Sequence, residues 1–111
     1  KDVTPLHLAV YKEEIDCVEA LISYGAEVNV RDSFGMMPIH LAAMRGNQML
    51  VKLLDNHGAD CTAKDFKGQT PMDIAKLNEH DNLKNYLAGN KYMEQATVST
   101  IIIVINDNKL T

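Results

Sequence analysis

With 111 residues, 46% hydrophobic and 23% charged, the chain has the make-up of one folded domain rather than a disordered segment. Its 15 acidic and 11 basic residues leave a net charge of -4, which argues against a grip on nucleic acid, where clustered cations must neutralise phosphates. The longest apolar run, Ile101–Ile105, is far shorter than the roughly 20 residues a bilayer-crossing helix needs, so no membrane insertion is expected.

Thr4-Pro5-Leu6-His7 has the features of a helix start. The Thr hydroxyl can cap free backbone N–H groups, and proline suits a first turn where its missing N–H would be unpaired anyway. Leu6 and Ala9 then share a face, and the small Ala9 admits a neighbouring helix. A break is expected near Glu13. From Ile15 to Tyr24, Val18, Leu21 and Ile22 recur at helical spacing, and Gly25 ends that segment in the left-handed conformation glycine favours. Asp32-Ser33-Phe34-Gly35 places Asp first and Gly fourth, as a type I turn prefers.

The chain then starts again. Thr4-Pro5-Leu6-His7-Leu8-Ala9 returns 33 residues later as Met37-Pro38-Ile39-His40-Leu41-Ala42, and again as Thr70-Pro71-Met72-Asp73-Ile74-Ala75. Residues 4–36 and 37–69 share ten identities, among them Gly25/Gly58, Ala26/Ala59, Asp32/Asp65 and Gly35/Gly68. A fixed period of this length marks a stack in which each unit buries its apolar face against its neighbours. Leu6, Leu8, Ala9, Leu21, Leu41, Ala42, Leu54, Ile74 and Ala75 hold fixed repeat positions and are the expected core. Met37 replaces the capping Thr of the second unit, which should cost about 1 kcal/mol. Breaks between paired helices are expected at Glu13, Gly46 and Glu79.

The third unit is more polar. Asp81, Asn82, Lys84 and Asn85 surround a thin stripe of Leu83, Tyr86 and Leu87, as an end unit requires. The first unit carries the apolar Val10, Ile15 and Val18 of an internal one, so further units are expected ahead of Lys1. Residues 90–111 break the pattern. Thr97–Ile105 is β-prone and reads as a strand or the start of another domain.

The catalytic signatures G-x-S-x-G, G-x-x-x-x-G-K and H-E-x-x-H are all missing. His7 and His40 are one repeat position seen twice, where imidazole can bond local backbone. His57 and His80 lack zinc-like spacing, and no metal or cofactor is expected. Cys17 and Cys61 have no CxxC spacing, which favours a reducing, cytoplasmic or nuclear setting.

Thr-Pro-Leu-His-Leu-Ala, followed by Gly-Ala-Glu-Val-Asn and Asp-x-x-Gly, closely resembles the ankyrin repeat, and the resemblance runs from about Asp2 to Leu87. It implies an all-α solenoid of stacked antiparallel helix pairs with β-hairpin fingers. Three repeats are expected at about 1–36, 37–69 and 70–89, the last a C-terminal cap. The implied function is non-catalytic: binding a partner protein through a concave face made of finger tips and first helices. Carried over position by position, that face comprises Tyr11, Lys12 and Tyr24, then Ser33, Phe34, Met36, Met44 and Arg45, with His57 at its base. It continues with Phe66, Lys67, Gln69, Leu77 and Asn78. The two phenylalanines are either partner anchors or rings tucked against a neighbouring finger. Asn29, following Glu27-Val28, resembles the site modified by the asparaginyl hydroxylase that acts on these repeats; the alternative is that its amide braces the hairpin. A second reading makes the chain a regulatory or targeting segment of a larger enzyme or channel, and a third an inhibitor masking a basic surface of a transcription factor.

Overall fold

The structure, a computed structural model, describes residues 2–90. The strand expected within 97–105 lies outside the described residues. Six helices follow in order: α1 (Pro5–Tyr11), α2 (Ile15–Ser23), α3 (Pro38–Arg45), α4 (Gln48–Asn56), α5 (Pro71–Leu77) and α6 (Asp81–Asn85), the last running into a wider π-helical turn at Tyr86–Asn90. None of them is long and apolar enough to cross a membrane. Each odd-numbered helix pairs with the next, and α3 also packs on α1 and α5, so the first helices of the three units form a continuous inner row.

The helix starts follow from the motif. Thr4 and Thr70 accept the N–H groups of His7 and Asp73, with proline in the first turn of both α1 and α5. The Met37 side chain has no oxygen to offer, and the His40 N–H turns instead to the Met37 carbonyl at 2.9 Å. In exchange the Met37 side chain joins the core, only 6% exposed. The two helices of each pair are parted at the expected places by left-handed residues: Glu13, Gly46 and Glu79 have φ of 58°, 69° and 60°. Two of these are not glycine, a strain of about 1–2 kcal/mol each that the flanking helices must hold.

Leu6, Val10, Val18, Ile39, Leu50, Val51, Leu54 and Leu83 are fully buried, each contributing about 1.5–3 kcal/mol of transfer free energy. Ala9, Ala42, Ala43 and Ala75 let the helices approach closely. Leu8 departs from the expected core and is 52% exposed. Its register partners Leu41 and Ile74 each have an inner helix before them, α1 and α3, whereas no described element precedes α1. Among the described residues there is no β-strand. Each finger is a tight turn, closed by Asp32 N–H to Met36 O and Gly35 N–H to Asp32 O, and again by Asp65 N–H to Gln69 O and Gly68 N–H to Asp65 O.

The histidines join the units. Thr4 N–H donates to His7 Nδ1, which leaves Nε2 as the donor to Met36 O at 2.8 Å. Met37 N–H donates to His40 Nδ1, and Nε2 reaches Ala63 O at 2.9 Å and Gln69 O at 3.2 Å. Asp73 keeps the local half of this arrangement, taking Thr70 N–H at 3.0 Å. An ionised carboxylate has no proton for the forward half.

His40 also links stability to pH. Burial pulls its pKa below the ordinary 6.5, against the upward pull of the Ala63 and Gln69 carbonyls and the Asp65 charge; Arg31 adds to the lowering. A folded pKa below the unfolded one means that the neutral ring stabilises the fold above the unfolded value. That contribution is lost as pH falls through the folded one. The urea midpoint should therefore decline as pH is lowered from about 7 to about 5. Glu13, Asp60 and Asp73 also have lowered pKa values, from ordinary values of 4.5, 3.8 and 3.8, so their own losses fall at lower pH. A flat midpoint across the upper interval would refute the assignment to His40.

Candidate functional site

The inner row leaves one side of each first helix open. Tyr11, Met44 and Leu77 stand at the same position of α1, α3 and α5, and they are 48%, 36% and 71% exposed. A helix position that served only to face water would carry a polar side chain; here it is large and apolar three times. The finger turns rise beside this stripe. Asp32 Oδ1 accepts the N–H groups of Phe34 and Met36, at 2.8 and 2.9 Å, and Asp65 Oδ1 those of Lys67 and Gln69, both at 2.9 Å. Each aspartate thus fixes the direction in which its turn presents the next residues.

Between the second and third units the stripe and the turns enclose a groove of about 380 Å³. It is lined by Ser33, Phe34, Met36, Met44, Phe66, Lys67, Gln69, Leu77 and Asn78, together with Asp65 and Ile74. Nine of the fourteen residues expected on the binding face therefore surround one cleft. Asp65 and Ile74 were not in that set, because turn aspartate and core isoleucine are the plain readings of their positions.

Phe66 lies against Gly35, whose added Cβ would fall within 2.7 Å of the ring, and its N–H donates to Phe34 O at 3.1 Å. It is tucked on the preceding finger and yet 72% exposed, so one face of the ring packs while the rest stays open. Phe34, 69% exposed, stands at the register of Lys67.

The other five expected residues lie apart from the cleft. Tyr11 and Arg45 engage each other, the guanidinium 5.1 Å from the ring centroid, and Arg45 also pairs with Glu13 at 3.0 Å. Glu13 in turn accepts from Asn47 at 3.1 Å, which ties the turn of the first unit to that of the second. His80 does the same one unit on, with its ring over Gly46 and Nε2 3.2 Å from Met44 O. Lys12 caps the end of α1. Tyr24 and His57 end the outer helices α2 and α4, both exposed, and neither lines the groove.

Asn29 braces two units rather than its own turn. Its Nδ2 donates to Gly58 O and its Oδ1 accepts from Asp60 N–H, each at 2.9 Å. Among the described residues no group of three or more His, Cys, Asp or Glu side chains is placed to hold a metal.

A sequence profile described as ankyrin repeats, in three copies, matches residues 6–97. Comparison with curated proteins gives no match.

Proposed function

The chain belongs to the ankyrin repeat family, and from that premise we propose that it binds a partner protein in the groove between its second and third repeats. Repeats of this family are generally protein–protein interaction modules and are typically non-catalytic. The observation that carries the specific face is the exposed pair Met44 and Leu77 on the first helices, continued by Phe34 and Phe66 on the turns. Aromatic and Met side chains are enriched in interface cores, and a contiguous apolar patch on a folded domain marks a contact site. On this reading the turns are hairpin-like fingers and the polar third unit is a C-terminal cap. Cytoplasmic or nuclear placement belongs to the same proposal.

Phe34→Ala and Leu77→Ala test it, since both side chains are largely exposed and neither holds the stack together. Each should weaken partner binding by more than about 1 kcal/mol, with the melting temperature nearly unchanged. Affinity capture with wild type and the double variant, followed by titration of the captured protein, reads the effect. Undiminished binding by the double variant would end the proposal.

Asn29 is proposed as a hydroxylation site on its resemblance alone. Its amide must first leave Gly58 and Asp60. Coexpression with the asparaginyl hydroxylase should then add the mass of one oxygen at this residue. An unchanged intact mass would leave the bracing role as its sole one.

A further inference from the structure

The side of the first repeat that points away from the second is built like a surface meant to be covered. Pro5 is exposed where Pro38 and Pro71 are buried, and Leu21, Ala26 and Val30 are half-exposed where Leu54, Ala59 and Ala63 are buried. Pro5, Leu6, Leu21, Ala26 and Val30 line an apolar cleft of about 250 Å³.

Its polar groups follow a pattern that the molecule itself decodes. Three side chains of the first repeat reach forward to backbone groups: His7 to Met36 O, Asn29 to Gly58 O and Asp60 N–H, and Arg31 to Lys64 O at 2.7 Å. One repeat earlier, the same register falls on Val3 O, Gly25 O, Glu27 N–H and Arg31 O. None of these four takes a hydrogen bond among the described residues. Unfilled partners and an uncovered apolar face thus coincide.

We propose that this face is the socket for one more helix pair of the same kind, joined to the chain ahead of Lys1, carrying His, Asn and Arg at the registers of His7, Asn29 and Arg31. Asp2 supports a connection in the same chain. Its φ of 61° matches the 75° and 80° of Gly35 and Gly68, so residues 2–3 already follow the path by which a finger returns to the next unit. A second copy of the chain is the wrong occupant. The last repeat would offer Asp73 where the socket needs a donor, and Thr97 stands at the register of Arg31.

The test extends the full chain by a copy of residues 4–33 placed directly ahead of Lys1, which keeps the period. Hydrogen exchange at the Glu27 amide should slow at least about tenfold and the melting temperature should rise. The same extension with His7→Asp, Asn29→Ala and Arg31→Ala in the copied unit should lose that protection. Unchanged Glu27 exchange in the extended chain, or equal protection by the altered copy, overturns the proposal. Glu27 protection that grows with concentration in the unextended chain would assign the face to a second copy, and also overturns it.

Discussion

Replacing His40 with alanine should destabilise the protein by about 4 kcal/mol or more, measured by urea unfolding at neutral pH. The ring is fully buried and serves three backbone groups, Met37 N–H, Ala63 O and Gln69 O. Each buried group left unpaired costs about 1–3 kcal/mol, and the vacated volume adds a cavity term. Since a domain of this size has only about 5–15 kcal/mol of net stability, the variant should be marginal at best. His7→Ala provides the contrast. Thr4 and Met36, its partners, are half-exposed, so water can replace part of what is lost. His40→Asp, imitating the third repeat, should not rescue, because it sets a carboxylate against two carbonyls that need a donor. A loss below about 2 kcal/mol for His40→Ala would refute this account of what the ring holds.

Gly35→Ala and Gly68→Ala separate backbone strain from shape at the groove. The two glycines have nearly the same φ, 75° and 80°, so alanine should cost about 1–2 kcal/mol at either through the left-handed backbone alone. Around Gly68 a Cβ meets nothing within 4 Å. At Gly35 it collides with the Phe66 ring, which must swing off the finger it rests on. Gly35→Ala should therefore lose more stability, about 2 kcal/mol or beyond, and weaken partner binding about tenfold. Gly68→Ala should leave binding near wild type. Matching effects of the two variants on binding would show that the seat of Phe66 is irrelevant to the groove.

Much of the architecture was legible because its causes are local and repeated. The capping threonines, first-turn prolines and breaks at Glu13, Gly46 and Glu79 act within one turn of chain, and the 33-residue spacing of like residues declares how the units are related. The roles of side chains that act between units were harder to read. Leu8, Leu41 and Ile74 look alike in sequence, yet their exposure depends on whether an inner helix lies before them. Asn29 resembled a hydroxylation site or, alternatively, a brace for its hairpin, and its amide spans to the next repeat. Arg45 and Tyr11, placed on the face by register, also engage each other, and Arg45 pairs with Glu13.

The amino-acid order alone determined the period, the helix ends and the nature of the core, since propensity, capping and apolar spacing are properties of neighbours along the chain. Only the stacked structure decided which exposed residues converge. Nine candidates drawn from all three repeats meet around one cleft, together with Asp65 and Ile74, because translation by one unit and the direction of each finger are set by packing between repeats. The ring of Phe66 on Gly35 and the forward reach of His7, Asn29 and Arg31 belong to the same class. These contacts join residues about 30 positions apart, and a single unit read by itself holds only one side of each.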